Sequence, residues 1–128
     1  MTPEQIVENH IKNNNLDTTK AKMVAEINGT LKQKNTFAVR SGDCMFIYKV
    51  SGNSALFYIV NGGNAMGYIK AIKEFFATMK KANIQLLQMY VDNTTTAERL
   101  AKTAGAISVN FKKDEKRKVD PYLMSMEI

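Results

Sequence analysis

The chain has almost none of the residues that usually announce metal or redox chemistry. It contains one cysteine, Cys44, and one histidine, His10, in 128 residues. A single cysteine excludes an internal disulfide and fits a reducing compartment. One His and one Cys far apart in sequence argue against a zinc site, and no metal is expected. Cys44 lies between Asp43 and an apolar run, so it reads as a small strand residue rather than a nucleophile. His10 falls in a polar helical stretch and reads as solvated. No apolar run approaches the ~20 residues needed to cross a bilayer, so no membrane partner is expected. Thr2, Pro3, Glu4 and Gln5 follow Met1 without a signal pattern, and the expected location is cytoplasmic. There is no internal repeat, low-complexity tract or linker. The apolar share of 45% is ordinary for one globular domain spanning 1–128.

Charge is the one compositional bias. The formal net charge is +6, and half of it comes from the run KKDEKRK at 112–118. Such a run could meet a polyanion. It lacks the interleaved aromatics of a single-strand binding surface, and it reads as a solvated turn joining two strands. Nucleic acid is therefore not an expected partner. A module using Lys112–Lys118 on nucleic acid is a third reading, after the two functions set out below.

Residues 1–35 read as helical. Thr2-Pro3-Glu4-Gln5 combines an N-cap threonine, a proline at the first helical position and a glutamine three residues after the cap. This predicts a helix to about Lys12, stopped by Asn13-Asn14-Asn15. Asp17-Thr18 starts a second helix with Ala21, Val24, Ala25 and Ile27 on one stripe. From Thr36 the apolar period changes to two. Phe37–Arg40, Cys44–Val50 and Ser54–Val60 read as an antiparallel meander with tight turns at Ser41-Gly42-Asp43 and Ser51-Gly52-Asn53. Helical spacing returns with Ala65, Ile69, Ile72, Phe76 and Met79. Ile84–Val91 is apolar on both faces, as a central strand would be. Asn93 or a following threonine caps a shorter helix closed by Gly105. Strands Ala106–Phe111 and Tyr122–Ile128 complete the order α-α-β-β-β-α-β-α-β-β. The unit from strand 54–60 to strand 84–91 should be a right-handed parallel crossover. The expected fold class is α/β (α+β): a mixed, mostly antiparallel sheet with a central parallel pair and helices on both faces.

One stretch proposes a ligand. Strand Ser54–Val60 runs into Gly62-Gly63 and then directly into the longest helix. Glycines at a helix N-terminus leave backbone N–H groups unpartnered and open to close approach by an anion. The alternative is that the glycines only make a tight turn and the helix stripe is only core.

This order, with a glycine turn after the third strand and an Asn…Ala…Gly helix after the next, resembles the GNAT superfamily of acyl-CoA N-acyltransferases over residues 36–128. The superfamily's turn signature is Gln/Arg-x-x-Gly-x-Gly/Ala. Here it is Gly62-Gly63-Asn64-Ala65-Met66-Gly67, with the final glycine matching, Ala65 in place of the first glycine and Gly62 where Gln or Arg is expected. Asn93, Ala97, Leu100-Ala101 and Gly105-Ala106 follow the second motif, with one extra residue after the asparagine. The resemblance implies acetyl-CoA or CoA as cofactor. Ile59, Val60 and Asn61 would offer backbone to the pantetheine arm, Gly62, Gly63, Asn64, Ala65, Met66 and Gly67 would hold the pyrophosphate, and Asn93 of the second motif is a further expected cofactor contact. The family's catalytic tyrosine on the second crossover helix is Ala101 here, and strand 54–60 holds no acid. The family's usual first strand, before the helices, also has no counterpart. No catalytic residue is thereby assigned; Tyr58, Tyr90 and Tyr122 read as packing.

Two functions follow from the resemblance. The first is an N-acetyltransferase moving acetyl from acetyl-CoA to an amine on a small molecule or protein, with acceptor choice set by the N-terminal helices and by the loops at Ser41–Asp43 and Lys112–Pro121. The second is a non-catalytic GNAT-fold assembly protein. Asn93-Thr94…Lys102-Thr103-Ala104-Gly105-Ala106 resembles a stretch in small internal virion proteins of short-tailed phages, which implies a virion location and other virion proteins as partners. A homodimeric arrangement remains open under either reading.

Overall fold

The computed structural model describes all residues, 1–128. Four helices and six strands follow the expected order: α1 (Pro3–Asn13), α2 (Lys20–Leu31), β1 (Thr36–Ser41), β2 (Cys44–Ser51), β3 (Ser54–Asn61), α3 (Ala65–Lys81), β4 (Leu86–Val91), α4 (Thr94–Ala104), β5 (Ser108–Lys113) and β6 (Tyr122–Glu127). The strands form one sheet in the order β1-β2-β3-β4-β6-β5. Only the β3–β4 pair is parallel.

The element ends show why local chemistry stops each run. Thr2 closes a full capping box with Gln5, which satisfies N–H groups that α1 would otherwise leave unpaired. Thr19, not Asp17 or Thr18, caps α2, its side chain accepting from the Lys22 N–H at 3.2 Å. Asn93 is the cap of α4. Two strands start two residues later than their apolar runs. The Ile84 N–H is spent on the Met79 carbonyl at the end of α3, so β4 begins at Leu86. The Ala106 N–H likewise closes α4 on the Ala101 carbonyl beyond Gly105, which has φ 113°, and β5 begins at Ser108.

Period-two alternation splits the sheet's side chains between two cores. Cys44, Phe46, Ala55, Phe57, Leu87, Met124 and Met126 face α3 and α4. Ile47 and Val60 face the other way, against Ile6 and Val7 of α1 and Ile27 of α2. The larger core is organised around Phe75 of α3, stacked on Phe46 at 4.4 Å between centroids and flanked by Phe57 at 4.9 Å. Burial of such rings, with favourable offset geometry, supplies much of the helix–sheet adhesion.

The parallel ladder is short. Ser54, Ala55 and Leu56 pair with Leu86, Leu87 and Gln88, and pairing ends there. Beyond it β3 continues on β2 to Asn61, and β4 continues on β6 to Val91. The two strands therefore part toward their C-terminal ends, where open α/β sheets place ligands.

Gly62 sits where α1 meets the end of β3. A Cβ there would lie 2.7 Å from Ile6 Cα and 3.1 Å from its carbonyl oxygen, both backbone atoms. Gly62→Ala must push α1 off the sheet and should cost about 1–3 kcal/mol. Gly67→Ala, whose Cβ meets Asn64 Oδ1 at 3.4 Å, should instead gain a few tenths to about 1 kcal/mol of helix stability. Urea unfolding of the two variants checks the opposite signs.

Candidate functional site

The parting of β3 and β4 opens a cavity on the α3/α4 face, with a volume of about 280 Å³. Its lining is mostly apolar, with Ile59, Met89 and Leu100 on its walls, Asp92 and Asn93 just beyond β4 and Thr96 in the first turn of α4. A second cavity of about 420 Å³ opens on the α1/α2 face, lined by Gln33, Lys49, Tyr58 and Arg117 among others. Phe57, Tyr90 and Asp120 line both. The gap in the sheet is thus approached from two sides and walled at its centre by those three residues.

The glycine turn follows the end of β3 and lines neither of these cavities; Gly63, Asn64 and Gly67 line a separate surface pocket, and much of the turn's hydrogen bonding is internal. The Gly62 N–H donates to the Asp43 carbonyl at 2.8 Å, and the Gly62 carbonyl accepts from Asn9 Nδ2 at 3.2 Å. The Gly63 N–H donates to Asn61 Oδ1 and the Gly67 N–H to Asn64 Oδ1, each at 2.9 Å. Three of the six N–H groups at 62–67 are therefore engaged, while those of Asn64, Ala65 and Met66 have no protein acceptor. These three stand at the first turn of α3, where the helix dipole favours negative charge. Gly63 also has a packing role, since a Cβ would lie 3.1 Å from Asp43 Cβ.

The other sequence-expected positions divide by face. Ile59 and Asn93 line the α3/α4 cavity. Val60 points the other way, 2% exposed against α1 and α2, so only its backbone faces the gap. Met66 is 83% exposed at the start of α3. The Lys112–Pro121 loop reaches the second cavity, as does the segment after α2, whereas Ser41–Asp43 instead lies beside Gly63, Lys70 and Glu74 on a separate surface. Ser41 Oγ donates to the Glu74 carboxylate there.

Cys44 is the small, buried first residue of β2. Its thiol donates to Asn61 Oδ1 at 3.2 Å. Burial, then the Asp43 charge, push its pKa up to about 11, so it carries no thiolate at neutral pH. His10 is not solvated as its polar helix suggested. It is half-buried, and its Nδ1 accepts the Asn61 N–H at 3.1 Å. Together Asn9 and His10 clamp the end of β3 to α1. No group of three or more His, Cys, Asp or Glu residues is placed to hold a metal ion, and no helix is long and apolar enough to cross a membrane.

Asp120, Tyr90 and Arg117 are the residues that sequence reasoning missed as a group. Asp120 adopts φ 47° at the end of the β5–β6 loop. Arg117 Nε donates to the Asp120 carbonyl at 3.1 Å, and its guanidinium lies 3.7 Å over the Tyr90 ring. The run expected to be a solvated turn is thus folded back onto the cleft at Arg117. Burial, then the nearby Asp92 charge, push the Asp120 carboxyl above its ordinary value, with Arg117 opposing. Asp-Pro before a strand was a visible turn signal, but nothing local tied it to Tyr90.

No protein-family model matches the chain, and no curated protein sequence does. Solved structures do match. A mutant of the spermidine N-acetyltransferase SpeG from Vibrio cholerae superposes with a TM-score of 0.63 at 14% identity, covering 100% of this chain and 91% of that one. The ribosomal-protein-alanine N-acetyltransferase of Escherichia coli gives 0.60 at 13% identity, covering 100% and 90%. The catalytic domain of a Tetrahymena histone acetyltransferase in complex with coenzyme A gives 0.55 at 16% identity, covering 98% and 86%. The chain has the GNAT fold.

His10 makes the clamp pH-dependent. Burial, the largest influence, lowers its pKa from 6.5, and the Asn61 N–H can be accepted only by an unprotonated Nδ1. The unfolded chain therefore takes up a proton at higher pH than the folded one, and stability falls as pH drops below about 6.5. His10→Asn keeps an acceptor oxygen in place without a titrating ring. Comparing urea midpoints at about pH 7.5 and pH 5.5, the wild type should lose more than this variant.

Proposed function

We propose that this GNAT-fold chain is an acyl-CoA-dependent N-acetyltransferase that moves acetyl directly from acetyl-CoA to a primary amine. The observation that supports it most is the double approach to the gap: cavities on opposite sheet faces converge on Phe57, Tyr90 and Asp120. Two reactants entering from opposite faces would meet in one orientation, which is the main service an enzyme without covalent chemistry can supply. Two of the matched structures are named as N-acetyltransferases, and the third, a histone acetyltransferase, is in complex with coenzyme A.

The residues suit that cofactor. The β3 residues after Leu56 have no strand partner on the β4 side, so the backbone groups of Ile59, Val60 and Asn61 that point away from β2 could meet a ligand, except the Asn61 N–H, which His10 Nδ1 accepts. The open N–H groups of Asn64, Ala65 and Met66 would take a pyrophosphate, the Gly62–Gly63 turn and Gly67 shaping the approach, with Asn93 on the far wall. Bound there, acetyl-CoA would supply a thioester whose carbonyl carbon the amine nitrogen attacks, the C–N bond forming as the C–S bond breaks.

Asp120 takes the proton that the amine must lose. Its raised pKa brings a carboxylate closer to the operating pH, as a general base requires. Ala101 on α4 cannot donate a proton, but Tyr68 of α3 lines the same cavity. Burial, then Cys44, push the Tyr68 pKa up to about 12, so its hydroxyl stays protonated and could donate a hydrogen bond to a departing sulfur.

Calorimetry with CoA and acetyl-CoA tests the reading at its base; no heat of binding at about 1 mM ligand would end it. Asp120→Asn suits the left-handed backbone there, since Asn tolerates that region. It should lower kcat about a hundredfold or more, with CoA affinity kept. In the wild type, kcat/KM should rise with pH through a carboxyl pKa above the ordinary range, and the variant should lose that limb.

A further inference from the structure

We propose that the acceptor is a primary amine carried on an anionic molecule, its carboxylate or phosphate held by Arg117 and Lys49 while its nitrogen meets Asp120. The inference rests on the acetyl-transfer reading of the same cleft and adds the substrate class.

The charges lining the second cavity are Lys49, Arg117 and Asp120. None of the three enters any of the chain's ion pairs, which are Lys20–Glu8, Arg40–Asp43 and Lys102–Glu98. A cavity with two unpaired cations and one carboxylate matches a ligand of the opposite pattern. The geometry of Arg117 strengthens the match. Its Nε is spent on the Asp120 carbonyl, and one face of its plane rests on Tyr90, leaving the terminal NH2 groups without a protein acceptor. A guanidinium fixed by stacking keeps its planar fork oriented, and such a fork suits a carboxylate or phosphate.

The same contacts link the anion site to the base. Arg117 and Asp120 belong to one tight loop, so an amine at the Asp120 carboxylate and an oxyanion at Arg117 are a single side chain's reach apart. Lys49 faces the same cavity from β2 and is exposed. Lys112, Lys113, Lys116 and Lys118 outweigh Asp114 and Glu115 along the loop and its strand, and this excess would attract an anionic acceptor toward the mouth. Glu26 lies near Tyr58 but lines a different cavity. A polyamine, the substrate named for one matched structure, would bring several positive charges to a cavity with a net positive lining. That arrangement selects against it.

The test uses the full chain and matched probes. Acetyl transfer is followed as free thiol released from acetyl-CoA, with γ-aminobutyrate, n-butylamine and spermidine as acceptors and an acidic peptide with a free N-terminus as a further arm. An anion-bearing amine should exceed n-butylamine and spermidine by about tenfold or more in kcat/KM, and the better of γ-aminobutyrate and the peptide identifies the source. Lys49→Glu, an exposed change that leaves the loop intact, should erase the preference by raising KM. Arg117→Gln should do the same, with Arg117→Lys recovering part of it. Equal or better use of n-butylamine or spermidine would overturn the proposal, as would a preference indifferent to Lys49→Glu. Binding is read separately by titrating γ-aminobutyrate and n-butylamine into the protein without CoA and following the Arg117 Nε–H NMR signal. A shift with the amino acid alone supports the acceptor class even if no acetyl is transferred. No shift with γ-aminobutyrate or the peptide counts against it even if CoA binds.

Discussion

Everything distinctive in this structure depends on a ladder that stops. Three residue pairs join β3 to β4, and past Leu56 and Gln88 each strand follows its other neighbour. A fully paired sheet would bury its backbone groups and leave no passage between its faces. Ending the parallel pairing midway turns the sheet from a partition between two cores into a wall with a gap. The ladder is short because both sides are held elsewhere. The end of β3 is gripped by β2 and by the Asn9–His10 clamp from α1, while β4 is held along its length by β6. Stability on the outer contacts and openness at the centre are therefore one feature.

The glycine turn shows how a single local motif can answer several constraints. Gly62 is demanded by the backbone of α1 and Gly63 by Asp43, neither of which is a ligand. The N–H groups left open are those of the next three residues, because Asn61 and Asn64 satisfy only the N–H groups of Gly63 and Gly67. A tight turn and a set of open N–H groups are thus compatible features of Gly62–Gly67. Close packing sets the turn, and the turn aims the remaining N–H groups along the axis of α3, where the dipole adds to them.

What the sequence made legible was whatever neighbours in the chain decide. Capping at Thr2 and Asn93, the switch from helical to alternating apolar period at Thr36, and the parallel crossover through α3 all rest on short-range patterns. Errors came where a backbone group had a distant or competing partner. Ile84 and Ala106 look like strand residues by side chain, but their N–H groups are already committed to helix ends. His10 looks solvated among Glu8, Asn9 and Lys12, yet the partner that half-buries it is Asn61, on the far side of the chain's first two strands. The site residues suffer most from this limit, because Arg117, Asp120 and Tyr90 become one unit only through a loop folding back.

That folding back also changes what the missing family residues mean. Judged along its own motifs, the chain lacks an acid on β3 and a phenol at Ala101, which favours an inert scaffold. A proton-transfer site needs groups at the reacting point, not at a given place in the chain. The gap can be reached from β3, β4, α3, α4 and the β5–β6 loop alike, and any of these can contribute. Asp120 arrives from the loop and Tyr68 from α3, each with its pKa moved upward by burial in the cleft walls. Arg117 then does two things with one side chain: it pins the Asp120 backbone in a left-handed turn and presents a positive fork beside it. Under the proposed transfer reading, the segment whose run at 112–118 carries half of the net charge would be the part of the fold best placed to choose a substrate, and its basicity, which by itself looked like solvated surface, would set the sign of the molecule that enters.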